Sequence, residues 1–262
     1  MRPGRAAGAL ASPRRPVLML LVEEPPLDAQ LIGARHAALV ARLRAAAEAA
    51  GRDPDAFRVV AVTKGFPIEV VLAARRAGLS RFGENRVQEA LAKVAAAPDA
   101  EWHLVGRLQA NKARAAARAF ALIHSIDTLD LLLRIDRIAA EESLAPSLLL
   151  EVNVSGEATK AGFAVAWFED QLRRPAELIP ALGGLAAVTV VGLMTVAPAG
   201  AAPADARSLF ARLRGLRDAL QVAAGRPYPE LSMGMTADAE AAVAEGATLV
   251  RVGTAIFGPR RS

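Results

Sequence analysis

Lys64 is the first residue of this sequence that could do chemistry, because it ends a run of five apolar or β-branched residues, Val59 to Thr63. A buried parallel strand has such a composition, and α/β proteins place functional groups at the carboxyl ends of these strands. Only four of the 32 basic residues are lysines. An amine can lose its proton and attack a carbonyl, whereas a guanidinium cannot. Lys64 is therefore a candidate nucleophile, although a lysine at a strand end can also simply reach solvent.

Two short loops could bind an anion. Ser232-Met-Gly-Met235 and Gly253-Thr-Ala-Ile256 each place small residues between a predicted strand and a predicted helix. Backbone N–H groups and a hydroxyl in such a loop can point at a phosphate near a helix N-terminus. Either loop alone could be no more than a tight turn. Two of them together with Lys64 favour a phosphate ligand that carries a carbonyl.

A repeating pattern of strands and helices must position these residues. The predicted strands cover 58–64, 80–82, 101–105, 122–126, 147–154, 189–194, 231–233 and 249–252. The predicted helices cover 68–77, 87–97, 109–119, 129–142, 163–179, 205–223 and 237–245, and an amphipathic helix over 27–50 precedes the first strand. This α/β alternation predicts a single (β/α)8 TIM-type barrel with its active site at the carboxyl ends of the strands. An open doubly wound sheet is the alternative, and it would ordinarily have fewer strands.

Composition narrows the classes of function. At 262 residues and 53% hydrophobic content, the chain can bury one large core. It has no cysteine, which excludes disulfides and thiolate metal sites and suits a reducing cytoplasm, and its three histidines show no metal-ligand spacing. Most of the net charge of +5 comes from arginines before residue 23, and aromatic residues make up only 4%. These features disfavour nucleic-acid binding.

The first 26 residues need a separate interpretation. Basic residues precede a short apolar run over 16–22, which leads into Glu23 and Glu24 without a small-residue cleavage pattern, so a secretory signal is disfavoured. No stretch reaches the length of a membrane span. We predict a disordered basic extension over 1–26 and one barrel domain over 27–262, with a translation start at Met19 as an alternative.

Six blocks of the sequence resemble one known family. In order they are Val60-Ala-Val-Thr-Lys64, Phe82-Gly-Glu-Asn-Arg-Val-Gln-Glu89, Trp102-His-Leu-Val-Gly-Arg-Leu-Gln-Ala-Asn-Lys112, Gly192-Leu-Met-Thr195, Leu231-Ser-Met-Gly-Met235 and Val250-Arg-Val-Gly-Thr-Ala-Ile-Phe-Gly258. Together they resemble the signature blocks of the pyridoxal phosphate homeostasis proteins, also called the proline-synthetase co-transcribed family. That family is related to the barrel domain of alanine racemase.

The resemblance implies a site for pyridoxal 5′-phosphate (PLP). Lys64 matches the lysine that holds PLP as an internal aldimine, Arg251 matches the arginine beside the pyridine nitrogen, and Asn85 matches a residue that lines the pocket. Ser232 and the Gly253–Thr254 pair match the phosphate-binding loops. The residues that the resemblance places at the cofactor are Lys64, Asn85, Met194, Ser232, Met233, Arg251, Gly253 and Thr254.

Other matched residues have less definite roles. Glu84 is implied as a close neighbour of the cofactor. Lys160 matches a lysine near the pocket mouth, where it is either a secondary cofactor contact or a solvated loop residue. The block from Trp102 to Lys112, with its His103, Gln109 and Asn111, has no assigned role, and core packing and helix capping would account for much of it.

The resemblance also limits the chemistry. A PLP enzyme that uses the ring as an electron sink usually pairs the pyridine nitrogen with an aspartate, and Arg251 would disfavour a proton there. Alanine racemase adds a β-rich domain with a tyrosine base, whereas we expect no second β domain here. The single tyrosine, Tyr228, precedes a predicted strand and is expected on the wrong side of the barrel. The resemblance therefore implies a PLP carrier that stores and delivers the cofactor through a reversible aldimine on Lys64, without strong catalytic activity.

Two alternatives stay open. The first is a PLP-dependent amino-acid racemase or lyase, and weak racemase activity is compatible with the carrier. The second is a Schiff-base aldolase or sugar-phosphate barrel without PLP. The expected partners are PLP and apoenzymes that receive it, with no metal, nucleic acid or membrane. The family resemblance implies a cytoplasmic monomer.

Overall fold

Eight parallel strands close into a barrel in the computed structural model, which describes Met1, residues 28–157 and residues 159–259. The strands in chain order are β1 (Arg58–Val62), β2 (Arg81–Glu84), β3 (Glu101–Leu104), β4 (Leu122–Ile126), β5 (Ser147–Asn153), β6 (Phe163–Ala164), β7 (Thr189–Met194), β8 (Glu230–Ser232) and β9 (Leu249–Val252). The barrel order is β4-β3-β2-β1-β9-β8-β7-β5, and pairing of β4 with β5 closes it. The two-residue β6 is an addition beside β5. The predicted TIM-type barrel is confirmed.

Helices surround this barrel. They are α1 (Ala29–Ala49), α2 (Ile68–Arg76), α3 (Val87–Ala96), α4 (Ala113–Ala119), α5 (Leu129–Glu142), α6 (Val165–Arg173), α7 (Leu178–Gly183), α8 (Pro203–Ala224), α9 (Ala239–Ala244) and α10 (Thr254–Phe257). The predicted N-terminal helix is α1. It begins after Asp28, whose carboxylate accepts a hydrogen bond from the Leu31 amide at 2.8 Å. Its buried face includes Ile32, Leu39 and Leu43, and the helix packs against α2, α9 and α10.

Alternation along the strands separates two cores. Leu122, Leu149, Met194 and Leu249 form an interior cluster with Val60. Their neighbours in sequence, such as Ile123 and Leu150, pack between the strands and the helices. Because successive side chains of a strand point to opposite faces, the inward Val60 and Val62 of β1 direct Lys64, two residues further on, toward the barrel mouth.

The predicted helix over 163–179 is wrong as a single element. The structure divides this segment into β6, α6 and α7. Pro175 explains the break, because a proline disfavours helical geometry at the preceding residue. Arg174 accordingly has φ −132° and ψ 86°, which ends α6. Predicted helix 109–119 is observed as a 3₁₀ turn, Ala110–Lys112, followed by α4. The remaining predicted elements are present with ends shifted by a few residues, and predicted strand 231–233 is observed as Glu230–Ser232.

The predicted basic extension over 1–26 falls, apart from Met1, outside the described residues. Within the described part of the chain, no helix has both the length and the apolar character that crossing a membrane requires.

Candidate functional site

A cavity of about 520 Å³ opens at the carboxyl ends of the barrel strands. It is lined by Val62, Lys64, Phe66, Asn85, Val105, Val196, Met235, Thr236, Ala237, Arg251, Gly253, Thr254 and Gly258. Five of the eight residues predicted at the cofactor therefore come together here. They are Lys64, Asn85, Arg251, Gly253 and Thr254.

A buried polar cluster anchors the residue that precedes Lys64. The Thr63 hydroxyl donates to Glu84 Oε1 at 2.6 Å, and the Thr63 amide donates to the Gly83 carbonyl at 3.0 Å. Lys93 of α3 donates through Nζ to the Thr63 carbonyl at 2.8 Å and to Glu84 Oε1 at 2.7 Å. Glu84, implied by the resemblance as a neighbour of the cofactor, thus lies behind the Lys64 loop and does not line the cavity. Its contacts fix the backbone from which Lys64 extends.

Arg251 brings a buried cation to the cavity. It projects from β9, is only 5% exposed, and donates through Nη1 to Ser232 Oγ at 2.6 Å and through Nη2 to the Thr195 carbonyl at 2.9 Å. Burial lowers the pKa of Arg251 to about 10, while Glu151 and Asp238 act in the opposite direction. Arg251 therefore remains a cation at neutral pH.

Gly253 allows the loop after β9 to approach β1 closely. A Cβ atom at Gly253 would lie 2.9 Å from the Val62 carbonyl oxygen, a distance that real Cβ contacts essentially never show. Its φ of −114° is open to any residue, so the requirement is one of space. The glycine thereby brings Thr254 next to the strand end that carries Lys64.

Three predicted cofactor contacts do not line this cavity. Met194 belongs to the interior cluster, and Met233 packs between the strands and the helices. Ser232 is fully buried, and its Oγ lies 2.7 Å from His124 Nδ1 as well as beside Arg251. Because none of these three side chains lines the cavity, their contacts with a cofactor stay predictions.

The sequence interpretation did not include several lining residues. Val62 lies two residues before Lys64 on an inward-facing strand, so alternation alone could have identified it. Val196 stands in the same relation to Met194. Thr236 follows the Ser232–Met235 block by one residue and supplies the hydroxyl that Ser232 was expected to give. Its position depends on the length of the loop, for which the sequence has no comparable periodic signal.

The charge of the lining favours an anionic ligand. Lys64 and Arg251 are the two basic residues in it, and none of the described lining residues is acidic. Hydroxyls of Thr236 and Thr254 and the amide of Asn85 add neutral hydrogen-bonding groups. A small number of polar groups in a largely apolar cavity is typical of ligand sites of this size.

Glu151 is an unusual carboxyl inside the barrel. It is 9% exposed on β5, and burial, followed by the charge of Asp127, raises its pKa to about 7, against the opposing effects of Arg251 and Arg107. A raised folded-state pKa gives stability that is present in full below the ordinary value of 4.5 and is lost as pH rises toward 7. The loss amounts to about 3 kcal/mol.

Glu151→Gln is therefore expected to remove this component of the pH dependence. The free energy of urea unfolding should fall between pH 5 and pH 7.5 by about 2 kcal/mol more in the wild type than in the variant. An equal change in both proteins would contradict the shifted pKa of Glu151. Asp127→Asn is a useful second variant, because removing the Asp127 charge should reduce the change in unfolding free energy between pH 5 and pH 7.5 without abolishing it.

Comparisons with known proteins identify the family of this chain. Residues 35–261 match the N-terminal domain of alanine racemase. A pyridoxal phosphate homeostasis protein of Pseudomonas aeruginosa is 42% identical over 226 residues, covering 86% of this chain and 94% of that protein. One from Aquifex aeolicus is 40% identical over 229 residues, with 87% and 97% covered. The structure of PipY from Synechococcus elongatus with PLP bound is similar at a TM-score of 0.74 and 41% identity, covering 87% of this chain and all of PipY.

Proposed function

Because this chain belongs to the family of pyridoxal phosphate homeostasis proteins, we propose that it binds PLP in the cavity shared by Lys64 and Arg251 and acts in homeostasis of that cofactor. The observation that carries the proposal is the convergence of Lys64, Arg251 and the Gly253–Thr254 loop on one cavity. PLP supplies an aldehyde that condenses reversibly with an amine.

The residues present fit the chemical groups of PLP. Lys64 offers the amine for the aldehyde. Thr254, Thr236 and the glycine loop offer hydroxyl and amide donors for the phosphate. The net positive charge of the lining, with no carboxylate among the described lining residues, suits an anionic ligand as a whole. Asn85 would add a polar contact, and apolar side chains on both sides of the cavity would cover a planar ring.

The accessibility of the site supports storage and delivery. Lys64, Asn85 and Thr236 are only partly buried, and Thr254 is exposed. A small amine from solvent could therefore approach the Lys64 side chain, and these residues would not exclude water from a bound cofactor. A single chain supplies the lysine, the arginine and the glycine loop that the proposal needs, so we propose that the protein works as a monomer. We place its action in the cytoplasm, with apoenzymes as recipients of the cofactor.

The same residues argue against strong catalysis. The Arg251 guanidinium has donors and no acceptor, so a ring nitrogen beside it would be held without a proton. Tyr228, the single tyrosine, is fully buried between the strands and helices, and its hydroxyl accepts a hydrogen bond from Arg226 Nε at 2.8 Å. It is therefore no base for the cavity. We infer that the protein holds and releases PLP without committed turnover of amino acids.

A transfer experiment tests this function. The protein loaded with PLP should restore activity to an added apo-aminotransferase. In D₂O it should exchange the α-proton of free alanine no faster than free PLP does. Faster α-deuterium exchange would favour the racemase or lyase. A colourless protein that takes up no PLP would return the barrel to the sugar-phosphate alternative.

A further inference from the structure

A continuous hydrogen-bond network crosses the barrel beneath the cavity. Glu101 Oε1 lies 2.9 Å from His103 Nε2, and His103 Nδ1 lies 3.0 Å from His124 Nε2. His124 Nδ1 lies 2.7 Å from Ser232 Oγ, which accepts from Arg251 Nη1 at 2.6 Å. We call these five residues the axial network. It joins the cation of the cavity to a carboxylate at the opposite end of the barrel, where Glu101 also pairs with Arg81 Nε at 2.7 Å.

The network lies inside the barrel. His124 is on β4 and Ser232 on β8, and these strands are not neighbours in the closed sheet. Side chains of such strands can meet at hydrogen-bond distance only across the interior. His103, His124 and Ser232 are fully buried, so their polar groups depend on one another for partners.

One proton arrangement satisfies every link. Ser232 Oγ already accepts from Arg251, so its single hydrogen is available for His124 Nδ1. His124 then carries its proton on Nε2 and donates to His103 Nδ1. His103 in turn carries its proton on Nε2 and donates to Glu101. The opposite arrangement would leave the Ser232 hydrogen without an acceptor among the described residues.

We propose that Glu101, His103, His124 and Ser232 are positioning residues, which hold the Arg251 guanidinium at the cavity through a one-directional series of hydrogen bonds. The significance for PLP rests on the function proposed above. In this arrangement the network has the Arg251 cation at the cavity end, the Glu101 carboxylate at the other end and two uncharged imidazoles between them. Burial, together with the nearby charge of Arg251, holds the pKa of His124 well below its ordinary value, in agreement with a neutral ring.

A hydrolase-like role does not fit the same residues. The order carboxylate, imidazole and hydroxyl resembles a catalytic triad. Ser232, however, is 0% exposed, does not line the cavity and accepts a hydrogen bond from a cation. A nucleophile needs access to substrate, which Ser232 does not have, and the hydrogen bond from a guanidinium makes its oxygen less nucleophilic. The network also gives His103, within the block that had no assigned role, a defined function.

Nitrogen NMR of the full chain labelled with 15N-histidine tests the proton arrangement. The chain has only three histidines, so His36→Gln and His103→Gln assign the signals. At pH 7.5 without added PLP, His103 and His124 should both be neutral with the proton on Nε2. A proton on Nδ1 of either ring, or a doubly protonated ring, would overturn the proposal. This result is independent of PLP and stands even if the wild type takes up none.

Two serine variants test the positioning role. Ser232→Ala removes the link to Arg251, and should shift the His124 Nδ1 signal and weaken PLP binding by about tenfold, as expected for a hydrogen bond to a charged group. Ser125→Ala is the matched control, because the buried Ser125 hydroxyl donates to the Gly106 carbonyl at 2.7 Å outside the network. It should change neither property. Equal effects of both variants, or no effect of Ser232→Ala, would show that Ser232 does not position Arg251.

Discussion

Lys64→Ala is expected to abolish covalent retention of PLP. After incubation with PLP and reduction with borohydride, the wild type should keep one cofactor per chain when it is denatured. Without borohydride, the PLP-loaded wild type should show a visible absorption band. The variant should show neither, because Lys64 is the single lysine among the residues that line the cavity and no other lining side chain has an amine. Mass spectrometry of the reduced protein and its visible spectrum measure the two effects.

Two lysine controls separate nucleophilicity from charge. Lys64→Arg keeps a cation at the cavity but cannot attack a carbonyl, so it should retain weak reversible binding of PLP without borohydride trapping. Lys160→Ala removes a lysine that does not line the cavity and donates to the Val196 carbonyl at 3.2 Å. It should be trapped like the wild type. Trapping in Lys64→Ala at the wild-type level would place the reactive amine elsewhere and refute the assignment.

Strand periodicity explains how much of the site the sequence could reveal. A long apolar run that ends on lysine predicts both a buried parallel strand and a functional group at its end; the strand is found, and Lys64 lines a cavity beyond it. The same alternation separates Asn85, which lines the cavity, from Glu84, which points to the helices. Ser232 has the inward direction expected of it. Its side chain lies deeper in the barrel than the cavity lining where it was predicted. That depth depends on the stagger of neighbouring strands, which a local sequence pattern does not encode.

The axial network was beyond prediction for a related reason. His103 and His124 looked like isolated histidines, because their contact with each other depends on the register of two strands and His124 meets Ser232 only across the barrel. The contact between His124 and Ser232 spans 108 positions and exists only because the sheet closes on itself. A sequence indicates which side of a strand a residue occupies. It does not indicate which residue of the opposite wall it will meet.

The pair formed by Lys93 and Glu84 leads to the second large expected effect. Both side chains are buried, at 8% and 0% exposure. Glu84 Oε2 has no hydrogen-bond partner among the described residues. Removing one member of such a pair leaves an uncompensated buried charge, whereas replacing both by apolar residues is often neutral. The pair also holds Thr63, which precedes Lys64. Removing the pair should therefore change the stability of the fold and, as a separate effect, the placement of Lys64.

Lys93→Met is therefore expected to lower the free energy of unfolding by about 3–5 kcal/mol, measured by urea unfolding without PLP. The double variant Lys93→Met/Glu84→Met should recover part of that loss, because no buried charge is left unpaired, although two buried polar groups of Thr63 lose their partners. It should still react more slowly with PLP, since the Thr63 carbonyl and hydroxyl have lost their partners. Arg42→Met, which breaks an exposed ion pair with Glu240, should cost less than about 1 kcal/mol. A stable but normally reactive double variant would mean that the pair supports the fold without positioning Lys64.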